Sequence, residues 1–441
     1  MKYRLGGSLR RTLLSKLQCP HCWNKFPVED VLWIATHPDL RGDPVLSPDD
    51  PIRFLPSRFT TSGAALDARG STCQSLACPR CHLGIAPVLL EHHGRILSIV
   101  GTPSSGKSYF LTSCVWQLRQ RLGEAFALAF SDADPVSNRV LASNEQQLFL
   151  QDDPEKLVFL EKTQLEGSAY DSVQLEPGQA TNLPQPYLFT IRPTSQHVNA
   201  RGAARLTEVL CLYDNAGEHF LPGAENPLSP TTQHLARSKN LMFVFDPTQD
   251  ARFRARLRGV STDPQLGQSA RAFRQDIVLL EMASRVRLHA GTPADEKLRQ
   301  PLTIVVTKSD IWKSLLPNED ICTDPYLIDQ REEGGFIGVV DKSRVERVSD
   351  QLEALLAGIV PEFVSAVRDT ALRVLYVPVS ATGVSPEIER SSGMLKVRAS
   401  QINPWWVTVP FIYEFSRWGK VVGSSRDAGA ITAETHATDG A

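Results

Sequence analysis

The segment Gly101-Thr102-Pro103-Ser104-Ser105-Gly106-Lys107-Ser108 constrains this chain more than any other. An apolar run, Arg95 to Val100, precedes it. Behind it, Phe110, Leu111, Cys114, Val115, Leu118 and Leu122 recur at helical spacing, and Gly123 can end the helix. A strand running into a Gly-rich turn that opens a helix has the pattern of a phosphate-binding loop. Gly101 and Gly106 permit the tight path that turns successive backbone amides toward an anion. Lys107 adds a cation for β- and γ-phosphates, and Ser108 places a hydroxyl where Mg²⁺ needs an oxygen. Ser104, Ser105 and Tyr109 complete the expected nucleotide-binding segment. The bland alternative is a Gly-rich turn with an exposed lysine, and the flanking strand and helix argue against it.

Further apolar runs follow: Val209 to Tyr213, Leu241 to Phe245, Leu302 to Val306 and Val374 to Val379. Runs of this length fit strands buried on both faces. Helical periodicity marks about 270 to 288 and about 345 to 368. The expectation is an α/β domain over 93–420 with a doubly wound, mostly parallel sheet. The stretch from about 130 to 187 is poorly patterned and reads as an insertion or a mobile switch region rather than core. A Gly-, Ser-, Ala- and Thr-rich tail, 421–441, is expected to be disordered. The aromatic stretch from Trp405 to Trp418 reads as a last helix packed on the sheet, with partner docking as the alternative.

Three strand ends carry further chemistry. Asp214-Asn215-Ala216-Gly217-Glu218 follows one apolar strand. Its aspartate can hold Mg²⁺, often through water, and Gly217 can present its amide to a γ-phosphate. The plain reading is a strand-to-loop turn, since Asp, Asn and Gly favour turns. Thr307-Lys308-Ser309-Asp310 follows another strand. A carboxylate at Asp310 can accept from the guanine N1–H and exocyclic amine together, whereas adenine offers the wrong donors. The stem of Lys308 can pack along the base. Ser380-Ala381 follows the last strand and can offer a backbone amide to the guanine oxygen. A second hydroxyl for Mg²⁺ is sought at Thr181, with Thr163 as its rival.

Eight cysteines include two Cys-Pro-x-Cys pairs, Cys19 with Cys22 and Cys78 with Cys81. Two intervening residues let both thiolates reach one tetrahedral Zn²⁺, and two such knuckles supply four thiolates. The expected unit, residues 1–92, is a zinc-ribbon-like module whose Pro-rich stretch from Asp39 to Gly70 forms a long inserted loop. Cys73, His21 and His82 are reserve ligands. A thioredoxin-like redox reading is poorer, because no βαβ pattern surrounds either pair.

Phosphate loop, Asp-x-x-Gly, Thr-Lys-x-Asp and Ser-Ala stand in the order used by GTPases, each at the carboxyl end of a strand, where doubly wound sheets bind ligands. Over about 93–420 the sequence resembles the TRAFAC class of P-loop GTPases. It departs at Thr307, where Asn is commonest, and at Glu218, where Ras-like proteins carry Gln. Together with the cysteine pairs and Leu183-Pro184-Gln185-Pro186, it is similar to the bacterial double-GTPase 2 family. That resemblance implies GTP or GDP with Mg²⁺, a catalytic set of Lys107, Thr181, Gly217 and Glu218, and a protein partner in a conflict or defence system, itself a second GTPase. Glutamate at 218 implies slow or partner-assisted hydrolysis.

Lys and Arg number 47 against 49 Asp and Glu, so bulk charge gives no polyanion-binding surface and makes nucleic acid an unfavoured partner. No secretory leader and no apolar run of about 18 residues is found, so a cytoplasmic protein without a membrane span is expected. The rival readings are an assembly scaffold with negligible hydrolysis, a zinc-ribbon nucleic-acid sensor, and ATP in place of GTP.

Overall fold

The computed structural model describes residues 13–160, 170–176, 179–215, 217–221, 229–267, 274–316, 320–331, 334–419 and 421–424. Seven strands form its central sheet: β1 (Gly94–Gly101), β2 (Leu128–Asp132), β3 (Tyr187–Pro193), β4 (Glu208–Asp214), β5 (Asn240–Phe245), β6 (Leu302–Val306) and β7 (Val374–Pro378). Their spatial order is β2-β3-β4-β1-β5-β6-β7. Strand β3 runs antiparallel to β2 and β4. Every other neighbouring pair is parallel. The result is an α/β fold on a large mixed sheet. The apolar strand ends read from sequence lie within one residue of the observed ones.

Side-chain alternation sorts the sheet into two faces. Leu97, Ile99, Leu212, Met242, Val244, Val305 and Val377 pack with helix α1 (Lys107–Phe126) and with the C-terminal helix Val409–Trp418. Phe243, Phe245, Ile304 and Val306 pack on the other face with the helices Gln275–Ala290 and Pro361–Thr370. That second face continues over β1 and β4 at Ile96, Val209, Cys211 and Tyr213, where the 3-10 helix Pro230–Arg237 lays His234 on Tyr213 and the cysteine-bearing N-terminal module packs through Leu17, Trp23, Phe26, Leu76 and Ile85. The module therefore shares its core with the sheet.

Several segments differ from expectation. The periodic stretch 345–368 is two helices, Lys342–Ile359 and Pro361–Thr370, because Pro361 cannot donate into a continuing turn. Part of the poorly patterned segment is sheet and helix. Strand β2 forms one edge, and the helix Arg139–Phe149 buries Leu141 and Leu148. Arg119 of α1 ties both down, bonding Asp132 at 3.0 Å and Glu145 at 3.1 Å. The stretch from Asp39 to Gly70 is organised around two buried aspartates. Asp43 accepts from the amides of Val45, Leu46 and Arg53, and Asp67 from those of Thr36, His37, Arg69 and Ser71. Val421 and Val422 of the expected tail are buried, and Gly423–Ser424 pairs with the strand Phe336–Val340. No described helix is long and apolar enough to cross a membrane.

Candidate functional site

Strand β1 delivers the chain into the Gly-rich turn. A Cβ on Gly101 would stand 2.7 Å from the Val244 carbonyl and 3.0 Å from Ser105 Oγ, so only glycine fits against β5. Ser104 and Gly106 adopt left-handed backbone at φ 60° and 92°, which folds the turn back and starts α1 at Lys107. The Lys107 ammonium curls over the turn and donates to the carbonyls of Gly101 at 3.0 Å and Thr102 at 2.9 Å. Ser104 is exposed at the crest, Ser105 is buried, and Ser108 and Tyr109 are half-buried on the first turn of α1. Tyr109 Oη accepts from the amide of Leu160 at 2.9 Å.

Asp214 ends β4 beside β1, opposite Ile99. Among the described residues its buried Oδ1 has no hydrogen-bond partner. Burial pushes the carboxyl up to about 6 against the pull of the Lys107 ammonium. A buried, unsatisfied carboxylate oxygen is a fit for a hard divalent cation, and Ser108 supplies the oxygen type that would share it. A Cβ on Gly217 would lie 2.4 Å from the Gly101 carbonyl and 2.6 Å from Pro103 N, so this glycine is seated directly on the phosphate loop. The side chain of Glu218 lies outside the described residues, as does Thr163.

Thr181 is placed elsewhere. It faces Val173 within a hairpin, Tyr170–Glu176 and Gln179–Pro184, whose Val173 and Leu183 are buried among the cysteine module's core. Among the described residues no hydrogen bond joins Thr181 to the phosphate loop.

At the end of β6, Thr307 Oγ1 donates to the Ser105 carbonyl at 3.1 Å. Lys308 takes left-handed backbone at φ 57° and sends its ammonium to Asp246 at 2.7 Å and Thr248 at 2.9 Å. Asp310 accepts from Ser380 Oγ at 2.5 Å, and that oxygen accepts from the Gly383 amide at 2.8 Å. Burial pushes the Asp310 carboxyl up. The Ala381 carbonyl accepts from Ser113 of α1. The structure thus brings phosphate loop, Asp214, Gly217, Thr307, Lys308, Asp310, Ser380 and Ala381 to the carboxyl end of one sheet.

Two residues without a motif also hold this site. Gln249 brackets the loop, accepting from Thr102 Oγ1 at 2.6 Å and donating to the Pro103 carbonyl at 2.9 Å. His234 bonds Asn215 at 2.7 Å and Ser98 of β1 at 2.6 Å. Both act across long sequence separations, so no local spacing marks them.

The cysteine pairs form a second cluster. Each pair caps a short hairpin, Lys16–Gln18 with Lys25–Pro27 and Leu76–Ala77 with Gly84–Ile85. The two turns are built alike. The amides of Cys19 and Cys78 bond the carbonyls of Asn24 and Leu83, and Trp23 and His82 follow in left-handed backbone. The amides of His21 and Arg80 point at Cys19 Sγ and Cys78 Sγ. All four Sγ atoms lie within 4.8 Å of one another, with Cys19–Cys81 and Cys22–Cys78 each at 3.7 Å. A tetrahedron with Zn–S bonds near 2.3 Å has an edge of about 3.8 Å, so the cluster has the size of a four-thiolate zinc site. Burial pushes the Cys19 thiol up. His82 is instead paired with Asp43 at 2.8 Å, and Cys73 lies by Asp67 at 3.9 Å, away from the cluster.

No family model matches the chain, and no curated protein matches it. Among solved structures it is similar to the mammalian SRP receptor, with 14% identity over 65% of this chain and 92% of that one at a TM-score of 0.23. It is similar to the SRP receptor SRb-GTP/SRX complex from Chaetomium thermophilum, with 14% identity over 67% and 94% at 0.24. The GTP-bound Ski7 GTPase-like domain of S. cerevisiae matches at 13% over 68% of this chain and 45% of that one, also at 0.24.

Proposed function

We propose that this chain is a guanine-nucleotide-binding switch protein of the TRAFAC class that hydrolyses GTP. The observation that carries the reading is the joining of Thr307 to the phosphate-loop carbonyl of Ser105, with Asp310 one helical turn on and held by Ser380. Phosphate and base determinants are thereby fixed to one another. In this reading Asp310 reads guanine, and Lys107 exchanges its two loop carbonyls for phosphate oxygens. Gly217 stands close enough to the loop for its amide to meet a γ-phosphate. Mg²⁺ would be held by Ser108 and Asp214 and would neutralise phosphate charge when bound. The four cysteines would hold one structural Zn²⁺ with no open position, leaving that module a rigid element. The resemblance to the double-GTPase 2 family supplies the setting, a cytoplasmic bacterial protein acting with a protein partner in defence.

Titration with fluorescent GDP and XDP tests the reading. The natural chain should prefer GDP, and Asp310→Asn should reverse the preference toward XDP. Equal affinity for adenine nucleotides in the natural chain would sink it. A second reading, an assembly scaffold with little hydrolysis, is favoured by Glu218 in the water-orienting position. Single-turnover GTP hydrolysis compared with Lys107→Ala separates the two, since a rate that the substitution leaves unchanged is not this site's chemistry.

A further inference from the structure

A chain of buried contacts runs from the first cysteine knuckle to the loop after Asp214. Tyr213 is the neighbour of Asp214 on β4. Its hydroxyl donates to the carbonyl of Pro20, inside the Cys19-Pro20-His21-Cys22 turn, and accepts from Trp23 Nε1 at 3.2 Å. Its ring stacks on His234, with centroids 4.4 Å apart and planes 9° from parallel. His234 Nε2 accepts from Asn215 Nδ2, and its Nδ1 donates to Ser98 Oγ, three residues before Gly101. The donor order is self-consistent, because Ser98 passes its proton bond to Ser238, which donates to the His234 carbonyl. Tyr213, Asn215, His234 and Ser98 are all fully buried.

A second route runs through the hairpin strand Tyr170–Glu176. The hydroxyl of Tyr170 bonds His219 Nε2 at 2.8 Å, two residues past Gly217, and the carboxylate of the next residue, Asp171, lies 4.0 Å from His21 Nδ1 within the knuckle. Two adjacent residues therefore touch the nucleotide-site loop and the cysteine turn.

We propose that metal binding at Cys19, Cys22, Cys78 and Cys81 is thermodynamically coupled to the nucleotide state of the phosphate loop, with Pro20, Tyr213, His234 and Asn215 carrying the coupling. The proposal rests on the reading that the chain binds guanine nucleotide and zinc. Gly217 is seated on Gly101 and Pro103, so a γ-phosphate that bonds its amide must reseat it, and Asn215, two residues earlier, is bonded to His234. His234 is stacked face to face on Tyr213, which is bonded to the knuckle backbone. A close-packed, fully bonded core shifts between discrete arrangements rather than deforming continuously. Pro20 sits between two metal ligands, so its carbonyl position depends on how the thiolates are held. By linkage, whatever factor nucleotide exchange imposes on zinc affinity, zinc imposes on nucleotide preference.

The test is zinc competition against a chromophoric chelator on the full chain, run with GDP, with a non-hydrolysable GTP analogue and without nucleotide. We expect zinc affinity to differ at least about fivefold between the GDP and GTP-analogue states. Tyr213→Phe, which keeps the ring stack and removes both bonds to the knuckle, should bind both ligands and cut the difference below about twofold. Equal zinc affinity in all three states, with both ligands bound, overturns the coupling. An undiminished difference in Tyr213→Phe overturns the assigned route. Failure to bind zinc or guanine nucleotide at all overturns the parent reading instead, and is visible in the same titrations.

Discussion

Thr307 Oγ1 donates to the Ser105 carbonyl at 3.1 Å and so ties the end of β6 to the crest of the phosphate loop. It also reaches the Phe245 carbonyl at 3.2 Å. Thr307→Val keeps the shape and removes the donor to the Ser105 carbonyl, while the Phe245 carbonyl keeps the backbone amide of position 307 at 3.0 Å. The loss of about 1 kcal/mol corresponds to about fivefold weaker GDP binding. Calorimetric titration of the variant checks it, and affinity within twofold of the natural chain would show that the bridge does not shape the site.

Gly217 has no room for a methyl group, since its Cβ would fall 2.4 Å from the Gly101 carbonyl. Backbone on both sides cannot yield cheaply, and overpacking of this kind costs about 1–3 kcal/mol. Gly217→Ala should push the loop off the phosphate turn and weaken GTP-analogue binding more than tenfold while sparing GDP. Paired affinity measurements for the two nucleotides decide this.

His234 gives the fold an acid-sensitive point. Burial holds the imidazole down to about 3, from an ordinary value near 6.5, with His289 adding to the effect. The folded state keeps it neutral where the unfolded chain protonates it. Its contribution is therefore present above the unfolded value and is lost as pH falls below about 6.5 toward the folded value, by up to about 4–5 kcal/mol in full. His234→Phe should be less stable than the natural chain at pH 7, because Asn215 and Ser98 lose their partner. Its stability should also fall less between pH 6.5 and 4.5. Urea denaturation at several pH values checks the difference in slope.

Stripping the cysteine cluster should damage more than the N-terminal module. Zinc should be present at about one per chain, and its removal by chelator, or Cys22→Ser, should lower the unfolding temperature in a single transition. The reason is that Trp23, Phe26 and Leu76 share a core with Val209 and Tyr213 of the sheet. Two separate transitions, with the sheet's unchanged, would contradict a shared core.

What could be read from sequence followed the range of the interactions. Strands β1, β4, β5, β6 and β7 were legible because burial on both faces leaves continuous apolar runs. The Gly-rich turn after β1, the strand ends at Asp214 and before Asp310, and the meeting of the two cysteine pairs were legible because their motifs fix local spacing. Edge strand β2 was missed, since five residues of mixed polarity carry little periodicity. The helix Arg139–Phe149 hid for a related reason, with three buried positions only. Gln249 and His234 were invisible because their partners, Thr102 and Ser98, stand far away in sequence and nothing local betrays the pairing. The union of cysteine module and sheet was likewise hidden. Separate motifs suggest separate bodies, whereas Tyr213 and Pro20 are 193 positions apart and bonded.

That union sets an order of events during synthesis. The knuckle of Cys19 to Cys22 leaves the ribosome early, but the wall it packs against, Val209 to Tyr213, is made nearly two hundred residues later. All four thiols, and the Leu76 and Ile85 side of the cover over Trp23 and Phe26, are made by residue 85. A nascent chain of this design can close its metal cluster early, but the anchor of Pro20 on Tyr213 forms only when β4 arrives.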